Sequence, residues 1–228
     1  GLQVLGSVPR RRTGTRIRWW PDPQVFTKDT EISYDRLLAR ARQTAFLVPT
    51  LTLTVRDERT DEVREESFKF SGGLDEFVDS LRIGEPITGV IRLTGEGHFH
   101  ETVPVLDAKG HMHSQEVERE LGVDIALQWE NGYDTTVRSF VNVIATPSGG
   151  THVAGFERSI NKVLNEQLRN AKILKASEDN VTKDDVLEGM TAVITVRVPE
   201  PQFEGQTKEV LGTPAASRIV ASVVSKQL

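Results

Sequence analysis

DDVLEGMTAVITVRVPEPQFEGQTK, residues 184–208, contains the turning points from which the fold is read. Thr182 and Asp185 have the spacing of a capping box, so a short helix is expected to start there and stop at Gly189. Thr191 to Val198 is a β-branched run closed by Pro199, the pattern of a buried strand. The next residues, 199–206, are rich in Pro and Gly and form a loop. A final helix follows, with Thr213 at its N-cap and Pro214 at its first position. A helix, a strand, a loop and a helix within so few residues, with no repeat spacing, set the class as α+β.

Upstream, Val123, Ile125, Leu127 and Trp129 alternate, and Asn131-Gly132 has the composition of a tight turn. Residues 135–144 are then expected to return as the second arm of a hairpin. Earlier still, 15–20 reads as a strand stopped by Pro21 and Pro23, and a helix capped by Ser33 runs from Tyr34 to Pro49. Leu51, Leu53 and Val55 begin a second hairpin that returns over 67–70, and Leu74 to Leu81 reads as a short helix. The pattern loosens at Gly84-Glu85-Pro86, where a domain boundary is expected. Residues 95–122, with few periodic apolar positions, read as an insertion loop carrying one helical turn near 114–121.

With 228 residues the chain has room for one large domain or two small ones. Its lack of Cys removes disulfides, thiol catalysis and Cys-ligated zinc, and fits a reducing cytoplasm. A net charge of -5 argues against a whole-surface nucleic-acid binder, so any DNA contact must come from a local basic patch. No apolar run is long enough to span a bilayer, and no membrane partner is expected. Gly1, without a preceding Met or a signal-like segment, reads as the start of a fragment.

Three features bear on chemistry. A long helix over 151–175 places Val153, Phe156, Ile160, Val163 and Leu164 on one face. Arg158, Lys162, Arg169 and Lys172 fall on the other, within an arc of roughly 80°. That stripe is either a solvated face or a phosphate-facing one. Gly149-Gly150-Thr151-His152 has the form of a helix start that could cradle an anion. The pairs His98/His100 and His111/His113 could each offer two metal nitrogens, but no carboxylate pattern completes a site, so no metal site is expected. The 201–208 loop ends in an amide, a hydroxyl and an ammonium, donors suited to a terminal phosphate.

TGTRIRWWPDPQVF at 13–26, ALQWENGY at 126–133, GGTHVAGF at 149–156 and the 184–208 segment together resemble the ATPase subunits of the bacterial type IIA DNA topoisomerases. These enzymes are topoisomerase IV and DNA gyrase. The resemblance covers nearly the whole chain, and the ATPSGGTHVAGFE wording leans towards the topoisomerase IV subunit, with gyrase B as the alternative. It implies a partial GHKL ATPase sandwich over 1–83, followed by a ribosomal-protein-like transducer domain over 84–228. It further implies that Gln206 and Lys208 reach the γ-phosphate of ATP, and that Thr15 helps to bind adenine. Arg158, Lys162, Arg169 and Lys172 would face DNA. The family's catalytic glutamate, magnesium-binding asparagine and glycine-rich lid match nothing in this chain. No catalytic residue is therefore expected within it, and ATP and Mg2+ are expected only for the full subunit. Expected partners are double-stranded DNA, the DNA-cleaving subunit, and a second copy through the full ATPase region. A standalone nucleic-acid-binding or scaffold module is the alternative from another class.

Overall fold

The computed structural model describes residues 3, 6, 7, 9–11, 13–22, 24–26, 31–106 and 111–228. Its centre is a five-stranded sheet of order β3-β4-β7-β5-β6. The strands are β3 (Ile91–Leu106), β4 (Met112–Trp129), β5 (Thr136–Val141), β6 (Ile144–Ala145) and β7 (Met190–Arg197). A separate antiparallel pair is made by β1 (Leu53–Asp57) and β2 (Arg64–Phe68), the expected hairpin, with its second strand at 64–68 rather than 67–70. Helices cover the large sheet: α1 (Tyr34–Leu47) and α2 (Leu74–Leu81) on one face, α3 (Thr151–Asn170) and α5 (Pro214–Gln227) on the other. A short α4 (Lys183–Leu187) precedes β7.

Side-chain alternation along the strands assigns the faces. Val123, Ile125, Leu127, Ala192, Ile194 and Val196 point into the larger core, where Phe156, Ile160, Val220 and Val224 meet them. Ala126, Val193 and Phe140 point the other way, towards Phe46, Leu74, Phe77 and Val78. Phe46 lies between Phe70 and Phe77, with ring centroids 3.6 and 4.8 Å away. The α2 helix, which ends just before residue 84, thus shares a core with the sheet that follows it. The structure is mixed α+β, in agreement with the sequence reading.

Five local expectations are corrected. Residues 95–122 are not an irregular loop: β3 and β4 pair without a break from Ile91↔Leu127 to Leu106↔Met112, forming a long ribbon. The expected helical turn at 114–121 lies in β4. The pattern was obscured because β7 pairs only with the Gly122–Trp129 end of β4, so beyond it charged side chains stay exposed. The expected hairpin of 123–144 does not form either, since β7 inserts between β4 and β5 and pairs parallel with β5. Residues 15–20 form no strand, and Ile17, Trp19 and Trp20 are 80%, 64% and 74% exposed. Finally, α3 ends at Asn170, and Lys172 beyond it takes φ 58°.

Several helix ends follow the sequence. Ser33 Oγ accepts the N–H of Arg36, and Thr182 with Asp185 forms a complete capping box. The α2 bounds are those expected. Thr213 occupies the N-cap of α5 but does not cap it, because its hydroxyl accepts the N–H of Gln202 instead.

Candidate functional site

The 201–208 loop starts where β7 ends. Phe203 and Leu211 form an isolated antiparallel bridge, the Glu204 N–H donates to Val210 O at 2.9 Å, and the Gly212 N–H to Gln202 O at 2.8 Å. The returning limb is laced to the start of α3. Leu211 N–H donates to Gly149 O, Thr151 N–H to Leu211 O, and Thr151 Oγ1 to Thr213 O. The loop tip is thus short and held at both feet, with one foot on a central strand and the other on a long helix.

Gln206, Thr207 and Lys208 are exposed at this tip. Gly205 turns the backbone at φ 90°, and Lys208 itself stands at φ 60°, a region L residues with side chains seldom enter. Its ammonium lies 5.9 Å from the Phe203 ring centroid, within cation–π reach. Among the described residues no carboxylate pairs with it. An unpaired ammonium beside a free amide and hydroxyl fits a phosphate terminus. Thr15 is exposed in the irregular 13–22 segment, and no hydrogen bond among the described residues joins it to the loop.

Other sequence candidates fare differently. Arg158 and Lys162 remain on the exposed side of α3, Lys162 being 3.7 Å from Glu166. Arg169 is instead a structural clamp, donating to Asn180 Oδ1, Lys175 O and Glu178 O. Lys172 lies past the helix end. Of the four cations, Arg158 and Lys162 thus stand on the exposed face of α3 without a clamping role. The Gly149-Gly150 turn is no free anion cradle, because its Thr151 N–H is taken by Leu211. His98 and His100 face Glu120 and Glu118 across the ribbon, while His113 lies opposite Val105 towards its far end. Among the described residues no group of three or more His, Asp or Glu is arranged to hold a metal.

Two buried polar groups escaped the sequence reading. His152 is fully buried beside Thr146 Oγ1 at 3.3 Å, which in turn meets Ser139 Oγ. Burial pushes its imidazole down to about 4. Glu130, only 6% exposed, accepts hydrogen bonds from Ile83 N–H, Gly84 N–H and the Thr191 hydroxyl. Burial raises its carboxyl, but these donors and the charge of Arg82 outweigh that and hold it below the usual carboxylate range. The sequence sign was slight, an acid closing an apolar alternation.

A family model described as DNA gyrase B matches residues 73–228. The chain belongs to the DNA gyrase B family. Among its relatives, the DNA gyrase B protein of Bacillus mycoides is 37% identical over 226 residues, spanning 99% of this chain and 50% of that protein. The crystal structure of the 43K ATPase domain of Thermus thermophilus gyrase B, in complex with an aminocoumarin, superposes with a TM-score of 0.67 at 28% identity. That match covers 90% of this chain and 50% of the other. A topoisomerase IV ATP-binding domain of Francisella tularensis shares the fold, with a TM-score of 0.63 at 24% identity over 91% of this chain and 50% of that one. The chain thus spans about half the length of these relatives. Among the described residues no helix is long and apolar enough to cross a membrane.

Proposed function

We propose that this chain is the transducing part of the ATPase subunit of a type IIA DNA topoisomerase, with Lys208 as its phosphate sensor. The observation that supports this best is the Lys208 ammonium, which no carboxylate among the described residues pairs, on a loop anchored at both feet. On this reading, residues up to about 83 belong to a GHKL ATP-binding domain and those from about 84 form a ribosomal-protein-like transducer. The gyrase B relatives support the ATPase subunit of such an enzyme. Because gyrase and topoisomerase IV share this fold, the proposal is made at the level common to both.

ATP, bound with Mg2+ in the full subunit, supplies a terminal phosphate that hydrolysis removes. Lys208 and the Gln206 amide donate to it, and the charge-assisted contact holds the transducer in one orientation. Loss of that contact frees the loop, and its two feet pass the change to β7 and α3. Thr15 serves the adenine end. Lys208 acts by charge, not as a base, and this chain alone does not turn over ATP. The partners are double-stranded DNA, for which Arg158 and Lys162 are the exposed phosphate contacts, the DNA-cleaving subunit and a second ATPase subunit, all in the cytoplasm. A standalone nucleic-acid module is the weaker reading, since Arg169 is engaged by Asn180, Lys175 and Glu178, Lys172 lies past the end of α3, and the net charge is -5.

Lys208→Ala in the full-length subunit is expected to lower ATP turnover by at least about 100-fold, with strand passage lost and circular dichroism unchanged. Wild-type turnover in that variant would overturn the sensor role.

A further inference from the structure

Glu130 stands at the end of β4, where three distant segments meet. Its Oε2 accepts from Ile83 N–H at 2.9 Å and from Gly84 N–H, and its Oε1 accepts from the hydroxyl of Thr191, the second residue of β7. The neighbouring backbone reinforces the knot. Glu130 N–H donates to Gly189 O, Asn131 N–H to Glu85 O, and Ile87 N–H to Trp129 O, each at 2.8 Å. Trp129 N–H reaches Thr88 Oγ1 at 3.0 Å, and Arg82 Nη1 closes on Gly84 O at 2.9 Å. There is no slack for a side chain here: a Cβ on Gly84 would stand 2.8 Å from Asn131 O.

The connection between α2 and the sheet is therefore a fixed joint, despite its Gly and Pro. On its upstream side α2 is packed through Leu74, Phe77 and Val78 against Val193 and Ala126. On its downstream side β7 runs from the Thr191 contact, buried for most of its length, to Arg197 and on into the 201–208 loop. One rigid strand thus has the joint at one end and Lys208 beyond the other.

A carboxylate suits this position better than an amide. Both oxygens accept, and three donors converge on them. Glutamine could keep its oxygen on the two N–H groups and turn its NH2 to the Thr191 hydroxyl, which would then accept, but it would lose the negative charge that strengthens all three contacts.

We infer that Glu130 is a positioning residue for phosphate sensing, which locks the linker after α2 to the head of β7, the strand that leads into the loop bearing Lys208. This rests on the sensor reading proposed above. Loosening the joint blurs the placement of Lys208 against a terminal phosphate and leaves contacts to the rest of a nucleotide unchanged.

The test uses the full-length subunit and equilibrium binding of ADP and of a non-hydrolysable ATP analogue. Lys208→Ala is the benchmark and is expected to lose the preference for the analogue. Glu130→Gln is expected to weaken the analogue by about 5- to 10-fold, the size of one ordinary hydrogen bond, with ADP within about 2-fold of wild type. Thr191→Val, which removes one donor and keeps the carboxylate, should shift binding the same way by less, so the test survives if Glu130→Gln fails to fold. Without nucleotide, amide exchange over residues 82–88 should quicken in Glu130→Gln. Equal weakening of both nucleotides, or wild-type binding of both beside a discriminating Lys208→Ala, overturns the positioning role and leaves the sensor standing. If Lys208→Ala keeps the wild-type preference, the sensor reading fails and this inference falls with it.

Discussion

Residues 15–20, TRIRWW, and residues 190–197, MTAVITVR, are both written in strand-forming side chains, and they end in opposite states. The second is β7, hydrogen-bonded on both edges and buried on both faces between β4 and β5. The first joins no sheet and leaves Ile17, Trp19 and Trp20 open to solvent. What separates them is the presence of a partner edge. Strand propensity measures how well a side chain fits a pleated, half-covered surface, and it has no effect until that surface exists. Cohesion here belongs to the sheet and its four covering helices, and Ile17, Trp19, Trp20, Val25 and Phe26 add little to it.

The comparison can be broken most severely inside the packed half. A Cβ at Gly155 of α3 would lie 2.4 Å from the Ser217 carbonyl oxygen of α5, so the two helices touch through backbone. Gly155→Leu should cost on the order of 4 kcal/mol by forcing them apart, read as a lowered urea midpoint. Near-wild-type stability would show that α3 and α5 can separate without loss. A smaller effect is expected from acid. His152 is buried neutral with its pKa at about 4, while in an unfolded chain it sits near the ordinary value of 6.5. The unfolded state then binds more protons between those values, so stability is full above about pH 6.5 and falls as pH drops towards 4. The loss is on the order of 3 kcal/mol and should vanish from the pH profile of His152→Asn. Smallest of all is Trp19→Ser, expected to change stability in urea by less than about 0.5 kcal/mol in this chain. A larger loss would mean the two halves are not as unequal as their exposure indicates.

What was legible in the sequence was local. Ser33, the Thr182–Asp185 box, Pro214 and the limits of α2 each depend on residues within one helical turn. The hairpin read into 123–144 failed because β7, from far along the chain, takes the place beside β4. The ribbon over 95–122 was hidden partly by Gly95 and Gly97, which look like loop residues. They lie beneath Val223 and Ile219 of α5, where a Cβ would come within 2.8 and 2.9 Å. The helix carrying Arg158 was overextended because left-handed Lys172 gives no sign in its neighbours. For the proposed site, Lys208 is singled out by its motif. Glu130 was not, since Ile83, Gly84 and Thr191 meet it only after folding.

The central place of β7 also sets an order of events. A chain emerging from the ribosome makes the β3–β4 ribbon and the β5–β6 pair long before Met190 appears. Until then β4 and β5 hold unpaired edges on either side of an empty slot, the arrangement most open to capture by another chain. Closing the slot joins strands far apart in sequence, and such non-local pairing slows folding. The last third of this chain is therefore what allows the earlier sheet pieces to become one sheet, and its arrival closes those two open edges.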